Sequence, residues 1–146
     1  MLGALKRLLG FVLLLVVLAF GLQILASESG EVVVLRTSVD GETQETRLWI
    51  VDDRGVSWLR SGSPDAGWYQ RVRANPVVSI QCQSNRRRCQ IERGSELLEF
   101  HAFPIEGGPP VDRVNRLMFE KYGWAEDYIG LFIDRSRSVA IRLDPR

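Results

Sequence analysis

The chain is expected to fold as a mainly β domain. It should be a small barrel of six or seven mostly antiparallel strands with short helices, carried on one N-terminal transmembrane helix. Three observations predict this. Short runs rich in β-branched and aromatic residues recur between Asp-Gly, Gly and Pro turn signals. Only three later stretches carry helical signatures, and all are short. The first 26 residues are almost wholly apolar behind Lys6 and Arg7.

That opening segment reads MLGALKRLLGFVLLLVVLAFGLQILA (1–26). From residue 8 to residue 26 the only polar side chain is Gln23. At ~1.5 Å per residue this run reaches ~28 Å as a helix, about one hydrocarbon core. Lys6 and Arg7 precede the run, and Ser27, Glu28, Ser29, Gly30 and Glu31 follow it. The positive-inside rule then places the N-terminus in the cytoplasm and the following domain outside, on the periplasmic side. A cleaved signal peptide is the competing reading. It fits less well, because a cut after Ala26 puts Ile24 at the −3 position, where a small residue is wanted. The expected division is an anchor or signal segment over 1–26 and a β-barrel domain over 31–146.

EVVVLRTSV (31–39), ETRLWIVDD (45–53) and VSWLR (56–60) read as three strands, with Asp40-Gly41 and Asp53-Arg54-Gly55 as turns. In the second strand Leu48 and Ile50 share one face, and Arg47, Trp49 and Val51 the other. SGSPDAG (61–67) is a loop. GWYQRVRANP (67–76) is a short helix stopped by Pro76, with Asp65 as its expected cap. VVSIQCQ (77–83) and RCQIER (88–93) form a hairpin, and ELLEFHAFPI (96–105) a further strand. Pro110 suits a first helical turn, and Val111, Val114, Leu117, Met118 and Tyr122 recur at helical spacing until Gly123. WAEDYIGLFIDR (124–135) is the last expected helix and SVAIRLDP (138–145) the last strand.

The hairpin reading organises the two cysteines of CQSNRRRC (82–89). Cys82 faces Cys89 across a four-residue loop, on the same apolar face as Ile80 and Ile91. Opposed strand residues lie ~4.5–5.5 Å apart at Cα, within disulfide range. Export favours a Cys82–Cys89 disulfide; a cytoplasmic placement favours two buried thiols.

The net charge of +1 excludes electrostatic steering toward nucleic acid. Two cysteines and one histidine are too few and scattered for a zinc site, so no metal is expected. His101 reads as an ordinary strand histidine, since nothing singles out a nucleophile and an acid beside it. Arg60, Ser61 and Gly62, followed by Arg71 and Arg73 on the next helix, make a group suited to a phosphate or carboxylate; a solvated arginine face is the plainer reading. Trp49, Trp58, Trp68, Tyr69, Phe119, Tyr122, Trp124 and Tyr128 divide between core and the walls of a pocket for a flat ring, and spacing alone does not separate the two.

Several of these stretches together carry a resemblance. VVVLRTSVDG, TRLWIVDD, VSWLRSG, GWYQRVRANPVVSI, LMFEKYGWAEDYIG and DRSRSVAIRLDP are similar to the deazaflavin-dependent nitroreductase family, within the split β-barrel superfamily of flavin and deazaflavin oxidoreductases. The similarity spans residues 31–145. Its most specific piece is the WYxxxxANP element, met by Trp68, Tyr69, Ala74, Asn75 and Pro76. The resemblance implies a split barrel and hydride transfer from a reduced deazaflavin or flavin (FMN) to a quinone or nitro compound. It implies a cofactor site at Arg60, Ser61, Gly62, Trp68 and Tyr69, and a substrate side at Phe119, Tyr122 and Tyr128. A homodimer and a lipophilic acceptor reached from the membrane belong to the same expectation. The family's basic loop of the form GRKSG reads SVDGET (38–43) here. With an exported domain, this leaves haem, or a non-catalytic barrel holding a ring ligand or a protein partner, as the alternative.

Overall fold

The structure is a computed structural model that describes residues 2–27, 30–82 and 97–146. Two tight turns begin the barrel. Asp40 and Gly41 join β1 (Val32–Val39) to β2 (Glu42–Asp53), and Arg54 and Gly55 join β2 to β3 (Val56–Ser61). These four residues have φ of 53°, 80°, 53° and 82°, the type I′ pattern whose twist matches that of paired strands. Val39 pairs with Glu42 and Asp53 with Val56, so each loop is two residues long. The tight first turn is why β2 starts three residues before the expected 45. Arg54 is the one residue here for which a positive φ is costly, by ~1 kcal/mol.

The chain continues through α2 (Gly67–Ala74), β4 (Val77–Cys82), β5 (Leu98–Glu106), α3 (Pro109–Tyr122), α4 (Trp124–Gly130) and β6 (Val139–Pro145). The strands close a barrel in the order β1-β2-β3-β6-β5-β4, every neighbour antiparallel. The expected strand over 88–93 lies outside the described residues, as does Cys89; Cys82 ends β4 and is buried.

Strand alternation sorts the apolar residues into two cores. Val33 and Leu35, Ile50, Leu59, Val78 and Ile80, Phe100 and Ala102, and Ile141 and Leu143 point inward. The register keeps them level: Leu35 pairs with Ile80 and Leu59 with Ile141. Helix α2 packs Tyr69 and Val72 into this interior. Outside, Val51 and Ala140 are covered by α3 through Val111, Val114, Met118 and Tyr122, with Trp49 and Trp58 against them.

Helix ends follow local chemistry with two departures from expectation. Asp65 does not cap α2: Ala66 holds the N-cap position, and Asp65 pairs with Arg137 at 2.6 Å. The last helix stops at Gly130 rather than 135, because Asp134 starts a separate 3-10 turn (Arg135–Arg137) by accepting from the Ser136 N–H. The N-terminal helix α1 (Leu2–Ser27) contains a stretch, Lys6–Leu25, of mean hydropathy 2.8 and wholly exposed, long and apolar enough to cross a membrane. It packs beside α4, and the Tyr128 hydroxyl donates to the Ala19 carbonyl at 3.0 Å.

Candidate functional site

A cleft of about 420 Å³ opens between strands β2 and β3 and helices α2, α3 and α4. Strands β2 and β3 supply Arg47, Trp49 and Arg60, and the start of α2 supplies Trp68. Met118 of α3, Ile129 of α4 and Ile133 beyond it complete an apolar wall. The mixture of two tryptophans and aliphatic side chains suits a flat ring. Among the described residues a second hollow, of about 520 Å³, lies between Trp58 and the first turns of α3, with Asp53, Asp112, Arg113 and Arg116 along its wall.

Of the five expected cofactor residues, Arg60, Gly62 and Trp68 line the cleft. Ser61 and Tyr69 do not. Ser61 is buried and its hydroxyl donates to the Ser63 carbonyl at 2.7 Å. Tyr69 is buried in the barrel, with its hydroxyl donating to Glu106 at 2.8 Å; burial, then that carboxylate, pushes its pKa up to about 12. Gly62 has a packing reason for lacking a side chain, since a Cβ there would stand 2.9 Å from Ile133 Cγ2.

Arg60 is the largest surprise. Its fork is already filled by a carboxylate of its own chain. Nη1 and Nη2 donate to the two oxygens of Glu126 at 2.5 and 2.8 Å, and Nη1 also reaches Asn115 at 3.3 Å. Glu126 is buried, and Arg135 pairs with the same carboxylate while donating to the Glu126 carbonyl at 2.6 Å. Burial lowers the pKa of Arg60 to about 10; burial and then the charge of Arg60 do the same for Arg135. The other arginines of the expected group point elsewhere. Arg71 donates to Thr37 Oγ1 at 2.9 Å, and Arg73 flanks Tyr69 and Glu106.

The three expected substrate residues are not brought together. Tyr122 is buried and stacks on Trp49, ring centroids 4.3 Å apart and planes within 6°. Its oxygen accepts from the Ile50 N–H at 3.0 Å and lies 2.7 Å from the Glu31 carbonyl. Burial raises its pKa well above the ordinary tyrosine value. Phe119 is exposed on α3, and Tyr128 faces α1. The cleft contributors that residue patterns did not single out are Arg47, Met118, Ile129 and Ile133, together with Glu126 behind Arg60. An acid in a helical WAEDYIG stretch looks solvent-facing, and Glu126 is indistinguishable there from Asp127.

No family model and no curated protein matches the sequence. Solved structures do match by shape. HutZ, the haem storage protein from Vibrio cholerae, is 18% identical with a TM-score of 0.60, over 83% of this chain and 85% of that one. The conserved hypothetical protein Rv2991 from Mycobacterium tuberculosis is 19% identical with a TM-score of 0.57, over 81% and 74%. An F420-H2-dependent reductase, FDR-A, is 22% identical with a TM-score of 0.53, over 77% and 93%. At these identities the likeness is one of architecture, and it establishes that the domain of this chain is a split β-barrel.

Proposed function

We propose that this protein is a membrane-tethered oxidoreductase of the deazaflavin-dependent nitroreductase type. It would hold a reduced deazaflavin or flavin without a covalent bond and reduce a quinone or nitro compound. One observation carries the reading: the cleft between Trp49 and Trp68 opens at the end of β3, where the sequence resemblance locates the cofactor. The shape likeness to an F420-H2-dependent reductase supports it. The bound cofactor supplies the hydride. Trp49 and Trp68 orient its ring, and Met118, Ile129 and Ile133 keep water from its face. The donor set fits the ring better than it fits an anionic tail, because the Arg60 fork is held by Glu126. In this reading α1 stays as a single-span anchor with Lys6 and Arg7 in the cytoplasm and the barrel outside. Cys82 and Cys89 are then oxidised, and the protein pairs as a homodimer, which light scattering checks.

The internal pairing of Arg60, with Asp40 and Glu42 at the first turn, favours a second reading: a non-catalytic barrel that binds haem, another ring or a protein partner. HutZ supports it by shape. The common proximal haem ligand is histidine, and the one histidine here sits on β5 outside the cleft, beside Phe103. The absorbance spectrum of the protein purified from membranes decides between them. A deazaflavin or flavin band, lost in Trp68→Ala, supports the oxidoreductase; a haem band supports the rival. A colourless protein that takes up neither deazaflavin nor flavin on reconstitution overturns the first reading.

A further inference from the structure

We infer that the segment 128–133, together with Trp124, is a second membrane contact that dips into the leaflet on the domain side of α1. This rests on the reading of α1 as a retained anchor. Four observations carry it. Leu131 and Phe132 are 77% and 70% exposed, and Trp124 is 56% exposed, so an apolar patch stands open next to the apolar helix. The Tyr128 hydroxyl is bonded to the Ala19 carbonyl at 3.0 Å, and Tyr128 packs edge-on against Phe132 at 5.6 Å.

The third observation is depth. Ala19 precedes Leu25, the domain-side end of the apolar stretch, by six residues, or ~9 Å of helix. A side chain bonded at Ala19 therefore sits ~9 Å below that end. Interfacial apolar elements reach a similar depth, ~5–10 Å. Trp and Tyr are the aromatics enriched at the membrane–water interface just above that level.

The fourth observation is charge. The ionisable groups around the patch turn away from it, with one exception. Arg135 folds back onto Glu126, Arg137 pairs with Asp65, and Asp134 is taken up by the 3-10 turn. Asp127, exposed on α4 three residues after Trp124 and four before Leu131, is the exception. Lipid is the occupant because the anchor already delivers this face to the bilayer.

The consequence bears on the ligand. Ile129 and Ile133 of the same segment wall the cleft while Leu131 and Phe132 face outward. The mouth of the cleft then lies at acyl-chain level, and an acceptor dissolved in the bilayer enters without crossing water.

Photo-crosslinking in phosphatidylcholine vesicles tests this on the full chain. A diazirine amino acid is placed at Leu131, at Phe132 and, as a control, at Phe103, an exposed apolar residue of β5. Phospholipid adducts are read by mass spectrometry, and carbonate extraction of the vesicles is run alongside. The inference expects lipid adducts at 131 and 132 at least tenfold above 103, in protein that resists extraction. Extraction-resistant protein with no such excess overturns it and leaves the anchor standing. A dimer adduct or a protein adduct in place of lipid overturns it in favour of a protein docking face. Release by carbonate sinks the anchor reading, and the inference with it.

Discussion

Replacing Glu126 by alanine is expected to be the most damaging single change in the domain. The carboxylate is the counter-charge for two guanidinium groups. The Arg60 and Glu126 side chains are 10% and 2% exposed, and both carboxylate oxygens accept from Arg60 at 2.5 and 2.8 Å. Without Glu126, Arg60 stays buried with only Asn115 as a neutral acceptor, beside the like charge of Arg135. Breaking one side of a buried pair costs ~3–5 kcal/mol. At ~4 °C per kcal/mol for a domain of this size, the Tm should fall by about 12–20 °C. The assay is thermal and urea unfolding of the full chain in detergent, followed by circular dichroism in the tryptophan and tyrosine bands, to which α1, with neither residue, does not contribute. Glu126→Gln keeps the shape and should still cost most of this, because charge is what is removed. Arg60→Met combined with Glu126→Leu should recover much of the loss, since a buried pair replaced by apolar groups is often close to neutral. A loss below about 1 kcal/mol for Glu126→Ala would refute the reasoning, for that is the range of a solvated surface pair.

Further expectations follow from other contacts. Tyr122→Phe keeps the stack on Trp49 and strands the buried Ile50 N–H, so urea unfolding should show a loss of about 1–3 kcal/mol. Tyr69 holds its proton to about pH 12 when folded and to about pH 10 when unfolded. Its contribution is therefore complete below pH 10 and lost as pH rises through 12; Tyr69→Phe should flatten stability across that window. Arg54→Asn should raise stability by about 0.5–1 kcal/mol by relieving a positive φ, measured as a shift in the urea midpoint. Reduction should add two hydrogens to the mass of natively isolated protein if Cys82 and Cys89 are joined, and should lower stability by about 2 kcal/mol.

Much of the barrel was legible because alternation and turn chemistry are local. Asp40-Gly41 and the alternation in LWIV placed β1, β2 and their faces before any contact was known, and Gly123 marked the end of α3. The lining of the candidate cleft was named in the sequence at Arg60, Gly62 and Trp68, and at Trp49 among the aromatics. Tyr69 and Tyr122 were less readable because a tyrosine that lines a pocket and one that fills a core have the same spacing. The fate of Arg60 was hidden for a different reason. Its partner lies 66 residues away in sequence, and nothing in the local pattern of α4 marks Glu126 as inward-facing.

The entry from the N-terminal side into β1 has a mechanical consequence. Glu31 is gripped twice from the end of α3, by Lys121 Nζ on its carboxylate at 2.6 Å and by the Tyr122 oxygen 2.7 Å from its carbonyl. Lys121 also donates to the Ile50 carbonyl of β2 at 2.8 Å. A pull on α1 is thus shared between α3 and β2 before it reaches β1. Lys121→Ala removes one of these holds, and β1 should then give way at a lower force.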